Sequence, residues 1–236
     1  MSIDDGILMP VYNEEAMIGA VLDAIRMYHY GEILVVNDGS TDGTAELLAD
    51  RDDVLVLQHP ENLGYGRSLI DGFVFAQFAG LKRLITMDCD GQHEPRHIPQ
   101  FFDALADDVD LVSGSRYLPE SPATGLAPAQ RREINDRLTA EVNSVTGWHL
   151  TDAFCGFKAC HVDRVVALGL AEEGYGMPME LWAKAWRAGW RVEELPVERI
   201  YFDHDRSFGE DLDDPEKRAA YYERVWRDAL AEGART

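Results

Sequence analysis

In the first half of the chain, short apolar runs alternate with stretches whose apolar positions recur every three or four residues. Gly6 to Val11, Ile33 to Val36, Val54 to Leu57, Leu84 to Met87 and Asp110 to Ser113 are short, apolar and flanked by Gly, Asp or Asn. That pattern predicts strands buried on both faces. Between them, Glu14 to Met27, Thr44 to Ala49, Arg67 to Ala79 and Arg96 to Ala106 predict helices. Alternation of this kind implies parallel strands joined by right-handed crossovers. The expected fold is α/β, a mostly parallel central sheet with helices on both faces.

After residue 116 the rhythm changes. Leu118 to Pro128 holds three prolines and a glycine and predicts a loop. Helices are expected over Glu133 to Val145, Val162 to Leu168 and Met179 to Ala188, then a strand over Arg191 to Val197. A last helix, Asp214 to Leu230, carries Tyr221, Tyr222, Val225, Trp226, Ala229 and Leu230 at spacings of three and four. Packing of that stripe against the domain is the ordinary expectation; exposure at a membrane interface is the alternative. Its polar positions mix Asp214, Glu216, Glu223 and Asp228 with Lys217, Arg218, Arg224 and Arg227, without the basic excess of interfacial helices. No repeat or linker divides the chain, so residues 1–236 are expected to form one domain with a helical C-terminal extension.

Composition narrows the function classes. Apolar residues make up 46% of the 236, enough for a sizeable core. No run reaches the roughly 18 apolar residues of a spanning helix; the richest, Leu69 to Leu81, is broken by Asp71, Gly72, Gln77 and Gly80. The N-terminal residues show no basic region followed by an apolar segment, so no export signal is expected. Cys89, Cys155 and Cys160 are too few for a disulfide framework and favour a reducing cytoplasm. A net charge of −21 excludes nucleic acid as a natural partner and opposes adhesion to anionic lipid. Phosphorylated substrates would then need a divalent cation and a few well-placed arginines.

Ligands of open parallel sheets bind beyond the carboxyl ends of the strands. There the sequence places Pro10-Val11-Tyr12-Asn13-Glu14-Glu15, Asn37-Asp38-Gly39-Ser40-Thr41-Asp42-Gly43, Asp88-Cys89-Asp90-Gly91-Gln92 and Gly114-Ser115-Arg116. Asp88 and Asp90, two apart in extended backbone, point to one side. Converging carboxylates that leave room for phosphate suit Mg²⁺ or Mn²⁺. Asp38 can accept hydrogen bonds from a nucleobase, while Ser40, Thr41 or Asp42 caps the next helix. Asn62 to Arg67 is a glycine-rich turn opening a helix, with Arg67 placed to face phosphate. His93-Glu94-Pro95-Arg96-His97 mimics a zinc-protease motif, but Pro95 puts His93 before the helix begins. Asp38 to Ala49 mimics a calcium loop and fails at its twelfth position, Ala49.

Taken in order, these motifs resemble the family 2 glycosyltransferases of the GT-A fold, particularly the dolichyl- and polyprenyl-phosphate mannosyl- and glucosyltransferases of the branch without membrane helices. Asn62-Leu63-Gly64, His93-Glu94-Pro95, Tyr117, Asp152-Ala153-Phe154-Cys155-Gly156-Phe157-Lys158 and Asp205-Arg206-Ser207-Phe208-Gly209-Glu210 extend the likeness to about residue 210. The resemblance implies a nucleotide-sugar-binding half to about residue 116 and an acceptor half from about 117. It implies that Pro10, Tyr12, Glu14 and Asp38 hold the nucleoside, with Asn62, Gly64 and Arg67 nearby. Asp88, Asp90 and Gln92 would bind the metal. Arg116, with Arg131 or Arg132, would meet the acceptor phosphate. Asp152, Gly156 and Phe157 would shape the sugar and acceptor site, with Glu180 nearby, and Arg206 would reach the phosphates.

The activity implied is inverting transfer of mannose or glucose from GDP-mannose or UDP-glucose to a polyprenyl or dolichyl phosphate. It would take place in the cytoplasm, against the inner face of the membrane. A phosphate acceptor is already ionised; a hydroxyl acceptor, the alternative, would call for a base, with Asp152 and Glu180 as candidates. A nucleotide-sugar binding module without turnover is the remaining reading, opposed by the intact Asp88/Asp90 pair. Two departures stand out: Asp211-Leu212-Asp213-Asp214 follows Glu210 where the family often has Ser-Lys, and Cys155 stands where serine is common.

Overall fold

The computed structural model describes residues 4–123, 125, 127–200, 209 and 211–232. Seven strands, β1 (Asp5–Val11), β2 (Glu32–Asn37), β3 (Leu55–Gln58), β4 (Arg83–Thr86), β5 (Leu111–Ser115), β6 (Lys158–His161) and β7 (Val192–Pro196), form one sheet in the order β3-β2-β1-β4-β6-β5-β7. Eight α-helices connect and cover them: α1 (Ile18–Arg26), α2 (Thr44–Ala49), α3 (Tyr65–Phe78), α4 (Ile98–Ala104), α5 (Ala129–Thr146), α6 (Val162–Ala167), α7 (Met177–Arg187) and α8 (Pro215–Ala231).

The parallel pairs β1–β2, β1–β4 and β2–β3 follow from strand–helix alternation, and β5–β7 extends the sheet in parallel. β6 is the exception. It lies antiparallel between β4 and β5, pairing Thr86 with Lys158 and Val112 with Ala159. This strand was not expected from the sequence, because four residues give too little periodicity to read. β3 also departs from expectation: as an edge strand it leaves Leu55 and Val56 each 38% exposed rather than buried on both faces.

Two apolar clusters fill the space on either side of the sheet. One gathers α3, α5, α6, α7 and α8 around Leu8, Leu34, Leu84 and Trp182; the other packs α1 and α4 against Ile7, Ile33, Ile85 and Phe101. Alternate residues of β1 and β2 feed opposite clusters, as the period of two requires. The α8 stripe belongs to the first cluster, with Trp226 1% and Tyr222 5% exposed, so it completes the core rather than facing a membrane. Arg218 lies on the same inward side, buried at 6%, which corrects its placement on the polar face. Among the described residues no helix is long and apolar enough to cross a membrane.

Candidate active site

The turns after β1 and β2 are fastened to each other. Asn13 takes a left-handed backbone (φ 56°), and its side-chain oxygen accepts from the Thr41 amide at 2.7 Å. The Asn13 amide donates to Ser40 Oγ, the Glu14 amide to Thr44 Oγ1, and the Gly43 amide to the Glu15 carboxylate. Asp42 accepts from the first amide of α2, the capping task expected of this segment. The result is a firm ledge carrying Pro10, Tyr12, which is 45% exposed, and Glu14.

Asp38 is 3% exposed and takes a different part from the one expected. One carboxylate oxygen accepts from the Leu63 amide and lies 2.7 Å from His59 Nδ1; the other accepts from the Gly64 amide. Asp38 thus pins the Asn62–Gly64 turn to the sheet. Gly64 needs its φ of 108°, and a Cβ there would meet the Glu173 carbonyl at 2.5 Å. Asn62 is exposed at the tip of this turn. Arg67 is bound to Asp71 at 2.6 Å and Glu173 at 3.2 Å, so it holds α3 to the 172–174 segment instead of facing phosphate.

Asp88 and Asp90 follow β4 and line one cavity, together with Gln92 and His93. Cys89 between them is buried among apolar residues, as the alternation of extended backbone requires. His93, lying before the turn of 3₁₀ helix at Pro95–His97, accepts the Asp88 amide on Nδ1 at 2.9 Å. Tyr65 donates its hydroxyl to Asp88 at 3.1 Å, and the Gln92 amide bonds Asp90 at 3.0 Å. Gly156 closes this wall: a Cβ there would stand 2.6 Å from Asp88 Oδ2. Two carboxylates form a hard oxygen donor set. Among the described residues no third histidine, cysteine or carboxylate completes an enclosing group. A cation on this pair keeps positions for water and diphosphate oxygens, which fits Mg²⁺ or Mn²⁺.

The same cavity is lined by Arg116, Arg131 and Arg218, from the end of β5 and from α5 and α8. Arg116 is held by Asp152 through two bonds, Nε at 2.7 Å and Nη2 at 3.0 Å. Asn135 donates to Asp152 at 2.7 Å, and Glu194 accepts the amides of Thr151 and Asp152. Burial raises the Asp152 carboxyl, but the charge and hydrogen bonds of Arg116 outweigh it and leave the pKa below the ordinary aspartate value. Asp152 is fully buried, with its carboxylate engaged by the cavity residues Arg116 and Asn135, so it is not the open base considered from the sequence. Arg132 pairs with Asp136 and stacks 3.6 Å from the Tyr117 ring centre, which decides between the two neighbours: Arg131 lines the cavity and Arg132 does not.

Two further expectations change. Glu180 is 4% exposed, accepts from the amides of Ala171 and Glu172 and pairs with Lys184 at 2.7 Å; it anchors a loop and is no candidate base. Phe157 is 1% exposed and meets Phe101 and His93 edge-on, supporting the wall from behind rather than touching an acceptor. Arg206 lies outside the described residues. Lys158 and Arg218 were not anticipated as cavity residues. Lys158 donates to Ser113 Oγ at 2.9 Å and to the Cys155 carbonyl, sits over the Trp182 ring, and has its amine pKa lowered by burial. The only local sign of Lys158 is a lone cation inside an apolar run; for Arg218 the sign is its four-residue spacing from Tyr222.

Comparison with known proteins identifies the family and the fold. An undecaprenyl-phosphate mannosyltransferase of Micrococcus luteus is 30% identical over 211 residues, covering 86% of this chain and 84% of that one. A polyprenol monophosphomannose synthase of Mycolicibacterium smegmatis is 30% identical over 203 residues, covering 81% and 75%. In fold, the chain is similar to a glucosyl-3-phosphoglycerate synthase of Mycobacterium tuberculosis solved with Mn²⁺, uridine diphosphate and phosphoglyceric acid. The TM-score is 0.72 at 20% identity, over 96% of this chain and 78% of that one. The architecture is the GT-A fold. Residues 6–165 match the model for glycosyl transferase family 2, and the chain belongs to that family of glycosyltransferases.

Proposed function

We propose that this enzyme transfers a hexose, mannose or glucose, from a nucleoside-diphosphate sugar to a polyprenyl phosphate, with inversion at the anomeric carbon. One observation carries the choice of acceptor: among the described residues lining the cavity, Asp88 and Asp90 are the only carboxylates, while Arg116, Arg131 and Arg218 share it. In a chain of net charge −21, three arginines at one cavity favour an anionic acceptor. An ionised phosphate attacks without a general base. A hydroxyl acceptor would want one, and both candidates, Asp152 and Glu180, are buried in other bonds. The relatives named for undecaprenyl-phosphate and polyprenol substrates point the same way.

In this reading Pro10, Tyr12 and Glu14 carry the nucleoside on the ledge after β1. Asp38 acts beneath them by fixing the Asn62–Gly64 turn. Asp88 and Asp90, with Gln92 beside them, hold Mg²⁺ or Mn²⁺. When bound, the ion supplies charge neutralisation at the nucleoside-diphosphate leaving group. Arg116 and Arg131 orient the acceptor phosphate, Asp152 fixes the Arg116 guanidinium, and Gly156 leaves Asp88 room to face the donor. A lipid acceptor places the reaction at the cytoplasmic face of a membrane.

The test is transfer from GDP-mannose and UDP-glucose, with Mn²⁺, to undecaprenyl phosphate and to undecaprenol. Transfer to the phosphate and none to the alcohol is expected. Comparable transfer to the alcohol, or to a sugar hydroxyl, overturns the assignment.

A further inference from the structure

The cavity is more than a polar cleft. Beyond Asp88 and Arg116 its wall is aromatic: Tyr65 at the start of α3, Phe154 before β6, Tyr175 before α7 and Tyr222 on α8. Tyr65 and Tyr175 stack with ring centres 5.7 Å apart, and Phe154 and Tyr222 lie 4.9 Å apart. Leu69 and Phe73 add apolar lining to the same cavity. From the sequence, Tyr221 and Tyr222 were grouped with the α8 stripe, and Phe154 with the family signature; nothing predicted that they meet.

This wall is built rigidly. The 172–176 segment that carries Tyr175 is clamped from two sides. Against α3, added Cβ atoms at Gly64 and Gly66 would stand 2.5 and 2.2 Å from the carbonyls of Glu173 and Glu172. Against α8, the Tyr221 hydroxyl accepts the Gly176 amide at 3.1 Å and bonds Glu172. A half-buried aromatic surface held this firmly suits an apolar ligand, because the protein loses little conformational entropy on contact. Tyr65 and Tyr175 are half-buried, as is Phe154, so their rings are open to the cavity rather than lost in the core.

We infer that this aromatic wall is the subsite for the first isoprene unit of the acceptor, next to the phosphate gripped by Arg116, Arg131 and Arg218. The inference rests on the polyprenyl-phosphate reading above. An anion and a branched hydrocarbon joined by one bond are what a cavity with an arginine cluster and an aromatic wall recognises. Size limits the claim to one unit. The cavity offers about 180 Å³, and an apolar cavity of roughly 150 Å³ takes up one benzene. Because the carboxylates and arginines share that volume, it leaves room for no more than one five-carbon unit beside the aromatic wall, and the rest of the chain stays outside.

Tyr175→Leu and Phe154→Leu test this, with each variant's fold checked by its donor hydrolysis. Geranyl phosphate and undecaprenyl phosphate are the two acceptors. Each variant is expected to raise the acceptor KM about tenfold, equal to ~1.4 kcal/mol, by the same factor for both acceptors, with the donor KM unchanged. Equal factors are required because only the first unit is inside. A rise in donor KM would assign the wall to the hexose, and a rise confined to the long acceptor would place the chain elsewhere; either overturns the inference. No turnover of any prenyl phosphate by the wild type, with transfer to hydroxyl acceptors, would instead remove the reading on which it rests.

Discussion

Gly156 stands against Asp88 so closely that one methyl group tests the whole carboxylate wall. In Gly156→Ala the new Cβ would lie 2.6 Å from Asp88 Oδ2 and 3.1 Å from His93 Cε1. Ordinary contact begins near 3.4 Å, so the oxygen must retreat by about 0.8 Å. The Asp88 side chain can turn away, which keeps the stability cost near ~1 kcal/mol, the low end for overpacking. For a chain of this size that is a fall in Tm of about 2–4 °C. Function is far less tolerant. Metal–ligand distances hold within roughly 0.2 Å, and a misplacement of about 1 Å in a catalytic site costs on the order of 10²-fold, or ~2.7 kcal/mol of transition-state stabilisation. Transfer and donor hydrolysis, measured across a Mn²⁺ titration, should show kcat/KM down about 100-fold and half-saturation moved to higher Mn²⁺. Gly19→Ala, where a Cβ meets nothing within 4 Å, is the control and should match wild type in activity. A folded Gly156→Ala enzyme with unchanged kcat and unchanged Mn²⁺ half-saturation would refute the placement of the metal on Asp88.

Glu180→Gln should lower Tm, because a charged anchor for two amides and Lys184 is weakened, yet leave kcat/KM of the folded enzyme within a few-fold of wild type; a 100-fold loss of kcat at unchanged Tm would restore Glu180 as a base. Asp152→Asn should destabilise the fold at neutral pH and raise the acceptor KM more than the donor KM, since Arg116 loses its charged partner. The folded pKa of Asp152 is below the unfolded one, so its stabilisation is complete above the unfolded value and disappears as pH falls through the folded value. The Tm gap between wild type and Asp152→Asn should therefore shrink on acidification below the ordinary aspartate range, and a gap that stays constant there would contradict the pairing.

What the sequence determined by itself was local. Strands that begin and end in Gly, Asp or Asn, and helices with apolar spacing of three and four, are written in neighbouring residues, so six of the seven strands, all but β6, and all eight helices were legible. The placement of Asp88 and Asp90 on one cavity, with Cys89 turned away, was legible for the same reason: extended backbone sends residues two apart to one side. Tertiary structure decided whatever depends on partners distant in the chain. Asp152 meets Arg116 across 36 residues, and that contact turns a possible base into a positioning group. Glu180 was equally ambiguous until the 171–172 amides came to rest on it. Arg131 and Arg132 are adjacent and alike in sequence, and only the seating of α5 directs one to the cavity and stacks the other on Tyr117. Arg218 looked like part of a solvated face, yet the packing of α8 on α7 and α5 turns it inward with Tyr222. β6 is too short to carry a pattern of its own, and it exists as a strand because β4 and β5 stand apart by one strand width and their unpaired amides and carbonyls need a partner between them.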